Sequence, residues 1–134
     1  MLIPATRYRD PEAMLAWLAS VLGLEEHAVY SSDNGKISHA EMKVGEGIMM
    51  FGPPNDGPFD ACMADPAEIG GRETTTIYAV ITDVAARYDR AVAGGARVIL
   101  PLEEQFYGGS SFTVADPEGH FWTFGDFDPR TGHA

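Results

Sequence analysis

The sequence predicts an α+β domain of two βαβββ modules, joined into a curved mixed sheet around a cavity. Three observations predict it. Two Asp-initiated helical segments begin 73 residues apart, at Asp10 and Asp83. Each is preceded by one strand-like run and followed by three. The chain closes on an Asp116-Pro117-Glu118-Gly119 turn between two alternating apolar runs, the signature of a β-hairpin. Repetition of pattern without much identity is what a duplicated fold looks like.

The first strand is expected over Leu2–Arg9 and the first helix from Pro11 to Gly23. Asp10 is the N-cap, Pro11 fits the first turn, Glu12 suits the positive helix end, and Gly23 ends it. Three strands follow at about Glu25–Ser31, Ser38–Val44 and Gly47–Phe51, with Asp33-Asn34-Gly35 and Gly45-Glu46-Gly47 as turns. The second module repeats this with a strand over Thr74–Thr82 and a helix from Asp83 to the Gly94-Gly95 stop. Its strands are Arg97–Pro101, Ser111–Ala115 and His120–Phe124. The 134 residues make one domain of two modules, about 1–52 and 73–128, joined by a Gly-, Pro- and Asp-rich linker over 53–72.

Composition narrows the function classes. Hydrophobic residues make up 45% of the chain, enough to fill a core. No apolar run approaches the ~20 residues that span a bilayer, and no signal peptide is visible at the N-terminus. The single cysteine, Cys62, cannot form an internal disulfide, which points to a cytoplasmic protein. With 20 acidic residues against 9 basic ones the net charge is −11, which makes nucleic acid and anionic membranes poor partners and reads either as solubility or as a cavity that favours a cationic ligand. No phosphate-binding loop or nucleophile elbow is present.

Period-two alternation divides each strand into a face toward the helices and a face toward the cavity. Ile77, Ala79, Ile81, Phe112, Val114, Trp122 and Phe124 are assigned to the core, opposite the apolar stripe of the first helix. The cavity face carries the candidate ligand-binding residues Arg7, Met50, Thr76, Tyr78, Ser111, Thr113, Phe121 and Thr123, with Tyr107 at the mouth. His39 and Glu41 share that face, and a His–Glu pair can serve as general base and orienting acid, so they are the candidate catalytic residues. His27 and His133 are assigned to the surface, and the His120 ring to a bond with the turn backbone.

The order and spacing of the Asp10 and Asp83 caps, the Gly94-Gly95-Ala96 stop and the Asp116-Pro117-Glu118-Gly119 turn resemble the glyoxalase/bleomycin-resistance/extradiol-dioxygenase superfamily, the vicinal-oxygen-chelate fold. The Ser38–Met42 strand and the Tyr107-Gly108-Gly109 loop resemble its metal-free, phosphonate-operon-type branch. Metal-dependent members carry His or Glu ligands on the first and fourth strands of each module. The equivalent positions here are Ile3, Met50 (or Phe51, under an offset of 72), Thr76 and Thr123. The resemblance therefore implies no metal, no cofactor and a homodimer that binds a small organic molecule, as in antibiotic or toxin sequestration. Two alternatives are a glyoxalase-, epimerase- or dioxygenase-like enzyme with ligands shifted to His39, Glu41 and His120, and a metal-free enzyme using His39 and Glu41.

Overall fold

A computed structural model describes residues 1–134. The first module is β1 (Ala5–Arg7), α1 (Pro11–Ser20), β2 (Glu25–Ser31), β3 (Ile37–Val44) and β4 (Gly47–Gly52). The second is β5 (Ile77–Val80), α2 (Val84–Ala93), β6 (Arg97–Glu104), β7 (Ser110–Ala115) and β8 (Phe121–Gly125). The strands form two four-stranded sheets rather than one continuous sheet, in the order β1-β4-β3-β2 and β5-β8-β7-β6. In each, the first and fourth strands run parallel and the remaining pairs are antiparallel.

The duplication is visible residue by residue. Ala5 pairs with Met50 in the first sheet, and Tyr78 pairs with Thr123 in the second. Both members of the pair move by 73 positions, so Met50, not Phe51, is the counterpart of Thr123. One core of 19 buried residues spans both modules. It includes every residue assigned to the helix-facing side of the second module except Ile77, which packs against its edge. Burying side chains the size of Phe51, Phe112, Phe124 and Trp122 contributes ~1.5–3 kcal/mol each.

The local signals act unequally. The Asp10 carboxylate accepts from the Ala13 amide at 3.1 Å, a working N-cap. Asp83 occupies the same position but makes no such bond and instead pairs with Arg87 at 3.4 Å. The helix ends meet each other. Arg90 of α2 donates to the Ala19 and Ser20 carbonyls, and Arg87 to Leu22, so cations complement the negative C-terminal end of α1. Gly45, at φ +57° in the β3–β4 turn, lies against the Val80 carbonyl, and a Cβ there would collide with it.

Three boundaries differ from the sequence expectation. β1 and β5 are shorter, because only the residues paired to β4 and β8 are held extended. β6 runs through Pro101 to Glu104; register irregularities on either side of Leu100 absorb the missing Pro N–H. The linker contains two short 3₁₀ turns, Asp60–Cys62 and Pro66–Ile69, the second closed by a capping box between Asp65 and Glu68. No helix is long and apolar enough to cross a membrane.

Candidate functional site

The sheet faces turned away from the helices carry the predicted site. Across the first sheet, Arg7 pairs with Gly52 and His39 with Tyr30, and Gly52 lies beside His39, leaving no side chain between Arg7 and His39. One residue pair along, Glu41 is matched to Met50. His39 Nε2 lies 3.0 Å from Glu41 Oε2, so the predicted pair forms. Arg7 turns away: its Nε reaches both Asp60 carboxylate oxygens, at 3.0 and 3.1 Å, and its guanidinium lies over Phe59. Arg7 and the Asn55 amide hold the Asp60 carboxyl below the usual range.

Across the second sheet, Tyr78, Thr123 and Thr113 lie in register. The two threonine hydroxyls share a 2.7 Å hydrogen bond. Ser111 pairs with Gly125, and half-buried Phe121 lies opposite Ala115. The Tyr78 hydroxyl donates to the Phe127 carbonyl at 2.8 Å, and the Tyr107 ring meets the Phe127 ring edge-on at 5.0 Å. The C-terminal tail thus brings Tyr78 and Tyr107 together. Burial, with the nearby Tyr107, Asp126 and Asp128 groups, raises the Tyr78 phenol above its ordinary value. Thr76 falls just outside β5 in exposed coil and joins neither group.

Sequence inspection missed a second constellation. The buried Asp116 carboxylate accepts from the Tyr8 hydroxyl at 2.5 Å, Trp122 Nε1 at 3.1 Å, and the Glu118 and His120 amides at 3.0 Å each. Burial, then the Asp116 charge, pushes the Tyr8 hydroxyl well above its ordinary pKa. The His120 ring does not bond the turn backbone as expected; only its main chain does. Its Nδ1 lies 3.1 Å from Glu73 and its Nε2 3.3 Å from the Thr6 hydroxyl. Thr6 and His120 border a cavity of about 310 Å³ beneath the 53–72 segment, together with Arg7, Arg9, Asp60 and Asp65. The Asp65-x-x-Glu68 capping pattern is the sequence signal of order that the linker reading of this segment passed over. Nothing in the sequence marks the pairing of Arg7 with Asp60 or of His120 with Glu73, partners 53 and 47 residues apart.

The metal positions of the resembled family can be tested on their donors. Ile3, Met50, Thr76 and Thr123 offer no imidazole or carboxylate, so these residues do not fit a divalent ion of the kind held by N and O ligands. The shifted set fares no better, since His39 is bonded to Glu41 and His120 to Glu73. No three His, Cys, Asp or Glu side chains gather as a ligand group.

Comparison with known proteins agrees with this geometry. The family model described as "Glyoxalase/Bleomycin resistance protein/Dioxygenase superfamily" matches residues 4–124. An uncharacterized protein of Mycobacterium bovis is 36% identical over 95 residues, 69% of this chain and 60% of that one. Uncharacterized proteins of Mycobacterium tuberculosis match at 36% over the same length, so the chain spans 54–60% of the curated relatives it matches. The crystal structure of TioX from Micromonospora sp. ML1 superposes with a TM-score of 0.75 at 27% identity, covering 93% of this chain and 94% of that one. The fosfomycin resistance protein FosX from Listeria monocytogenes, in complex with Mn(II) and 1S,2S-dihydroxypropylphosphonic acid, shares the fold at a TM-score of 0.66 and 16% identity, over 97% of this chain and 90% of that one. With the duplicated βαβββ topology, the register between its halves and the family match over residues 4–124, the chain belongs to the glyoxalase/bleomycin resistance protein/dioxygenase superfamily.

Proposed function

We propose that this protein binds a small organic cation on the open faces of its sheets, without a metal and without changing it chemically, as a cytoplasmic homodimer. The observation that carries this reading is the face of the second sheet turned away from its helix, where Ser111 and Thr113 are buried and Tyr78 is exposed. There Tyr78, Tyr107 and Phe121 supply aromatic surface beside the Thr113–Thr123 hydroxyl pair. Apolar walls with a few placed hydroxyls are the chemistry of a small-molecule site, and Thr123 stands where a metal-dependent member needs a carboxylate. The excess of acidic residues favours a cation over an anion. Bleomycin resistance, named in the family description, supports sequestration as the purpose.

Calorimetric titration with a panel of organic cations that includes bleomycin tests it, with mass spectrometry of the recovered ligand. Saturable binding that weakens with salt and on Tyr78→Ala, with the ligand returned unchanged, is expected. A panel that produces neither heat nor a thermal shift, or a ligand that comes back altered, counts against it.

The 3.0 Å contact of His39 with Glu41 favours a second reading, acid–base catalysis on a bound carbonyl compound. His39→Ala separates the two: lost turnover with retained affinity marks catalysis, and unchanged turnover removes His39 from the mechanism.

A further inference from the structure

We propose that Thr6, His120 and Glu73 form an acyl-transfer relay that accepts small carboxylic esters from the cavity beneath the 53–72 segment. This site is separate from the open sheet faces, and the inference stands whether or not those faces bind a ligand.

The relay is ordered by its hydrogen bonds. Glu73 Oε2 accepts from the Phe121 amide at 3.3 Å and lies 3.1 Å from His120 Nδ1. The tautomer with its proton on Nδ1 donates to Glu73 Oε2 and leaves Nε2 as the acceptor, the arrangement the proposed relay uses. The Thr6 hydroxyl, 3.3 Å away, then donates to Nε2. Hydroxyl, imidazole and carboxylate therefore stand in the sequence of nucleophile, base and orienting group. The ring is also held from the side, edge-to-face against Tyr8 at 5.5 Å, and the Tyr8 hydroxyl is itself fixed by Asp116.

Thr6, His120 and a cationic side chain border the same cavity, Arg7 reaching it from the opposite face of β1 to Thr6. Thr6 and His120 both border the cavity of about 310 Å³, at the small end of ligand sites. Arg7 borders it too and bonds Asp60 through Nε alone, so its two terminal amino groups have no partner in the chain. A cationic donor group is what a developing oxyanion needs.

In the proposed reaction His120 Nε2 takes the Thr6 proton as Thr6 Oγ1 bonds to the ester carbonyl carbon. The carbonyl π electrons move to oxygen, an anion that Arg7 at the cavity border would stabilise. Collapse breaks the bond to the leaving alcohol, which departs with the proton from Nε2. Water then attacks the acyl-threonine, gives its proton to Nε2, and releases the acid while that proton returns to Thr6. The sum is ester plus water to acid plus alcohol. Thr6 and His120 touch the reacting atoms; Glu73 is a positioning residue.

The test uses the purified full chain with p-nitrophenyl acetate, following p-nitrophenolate release and the mass of acid-quenched protein. Release above buffer is expected, with an acetyl group on Thr6. Thr6→Val, nearly identical in shape, should lose release at least tenfold with an unchanged melting temperature, and Thr6→Ser should retain it. Glu73→Gln should lower kcat more than it changes KM and move the pH profile, which a purely structural role would not do. Release no faster than buffer, release unchanged in Thr6→Val, or acetylation confined to other residues overturns the proposal. The Thr6 pair decides the matter even if a His120 variant fails to fold.

Discussion

Replacing Tyr8 by Phe should destabilise the protein far more than loss of one oxygen on a surface would. Tyr8 follows β1 of the first module and is completely buried, and its hydroxyl donates to Asp116 in the β7–β8 turn of the second. A hydrogen bond to a charged, buried acceptor contributes ~1.5–3 kcal/mol. At this chain length a kcal/mol moves the melting temperature by about 3–5 °C, so Tyr8→Phe should melt ~5–15 °C lower. Asp116→Asn should be at least as costly, because its new amide donor faces the Trp122 N–H in a site where Trp122 is fully buried. Urea unfolding of both single variants and the double variant measures the coupling, expected at ~0.5–3 kcal/mol for groups in direct contact. A Tyr8→Phe variant within about 0.5 kcal/mol of the parent would refute the idea that this carboxylate ties the modules together.

Three further outcomes follow from the same structure. Because burial raises the Tyr8 pKa, the folded state keeps a proton that the unfolded chain loses; its contribution is complete below about pH 10 and falls above it by ~1.4 kcal/mol per pH unit. Alkaline denaturation should therefore be less steep in Tyr8→Phe. Gly45→Ala should lower the urea midpoint, since a left-handed residue other than Gly costs ~1–2 kcal/mol before the collision with Val80 is counted. Asp60→Asn should speed limited proteolysis within residues 53–72 by weakening the tie to Arg7. Because the folded Asp60 pKa is depressed, the same tie should persist at neutral pH and loosen only in acid, below its ordinary value of 3.8.

Much of the fold was legible because its determinants are local. Asp10 with Pro11, the Gly94-Gly95 stop and the Asp116–Gly119 turn set element ends through short-range geometry, and alternation in β7 and β8 assigned Phe112, Val114, Trp122 and Phe124 to the core. The His39–Glu41 contact was legible for the same reason, being two residues apart on one strand. What escaped depends on tertiary closure. Arg7 was assigned to the open sheet face, but a carboxylate 53 residues away turns it toward the linker. His120 was assigned to its own turn, yet its partners come from β1 and from Glu73, which the chain brings together only when the modules dock. Asp83 has the right residue for a cap and is diverted by Arg87, an opposite charge one helical turn away.

The account rests on Ile3, Met50, Thr76 and Thr123 standing where metal-dependent members of the superfamily carry ligands. The most direct test is metal content of freshly purified, untagged protein by plasma mass spectrometry, before and after incubation with Ni, Zn, Mn and Fe(II). No retained metal is predicted, with unfolding unaffected by chelator. Near-stoichiometric metal per chain would contradict the account and put a metal centre at the heart of this protein's chemistry.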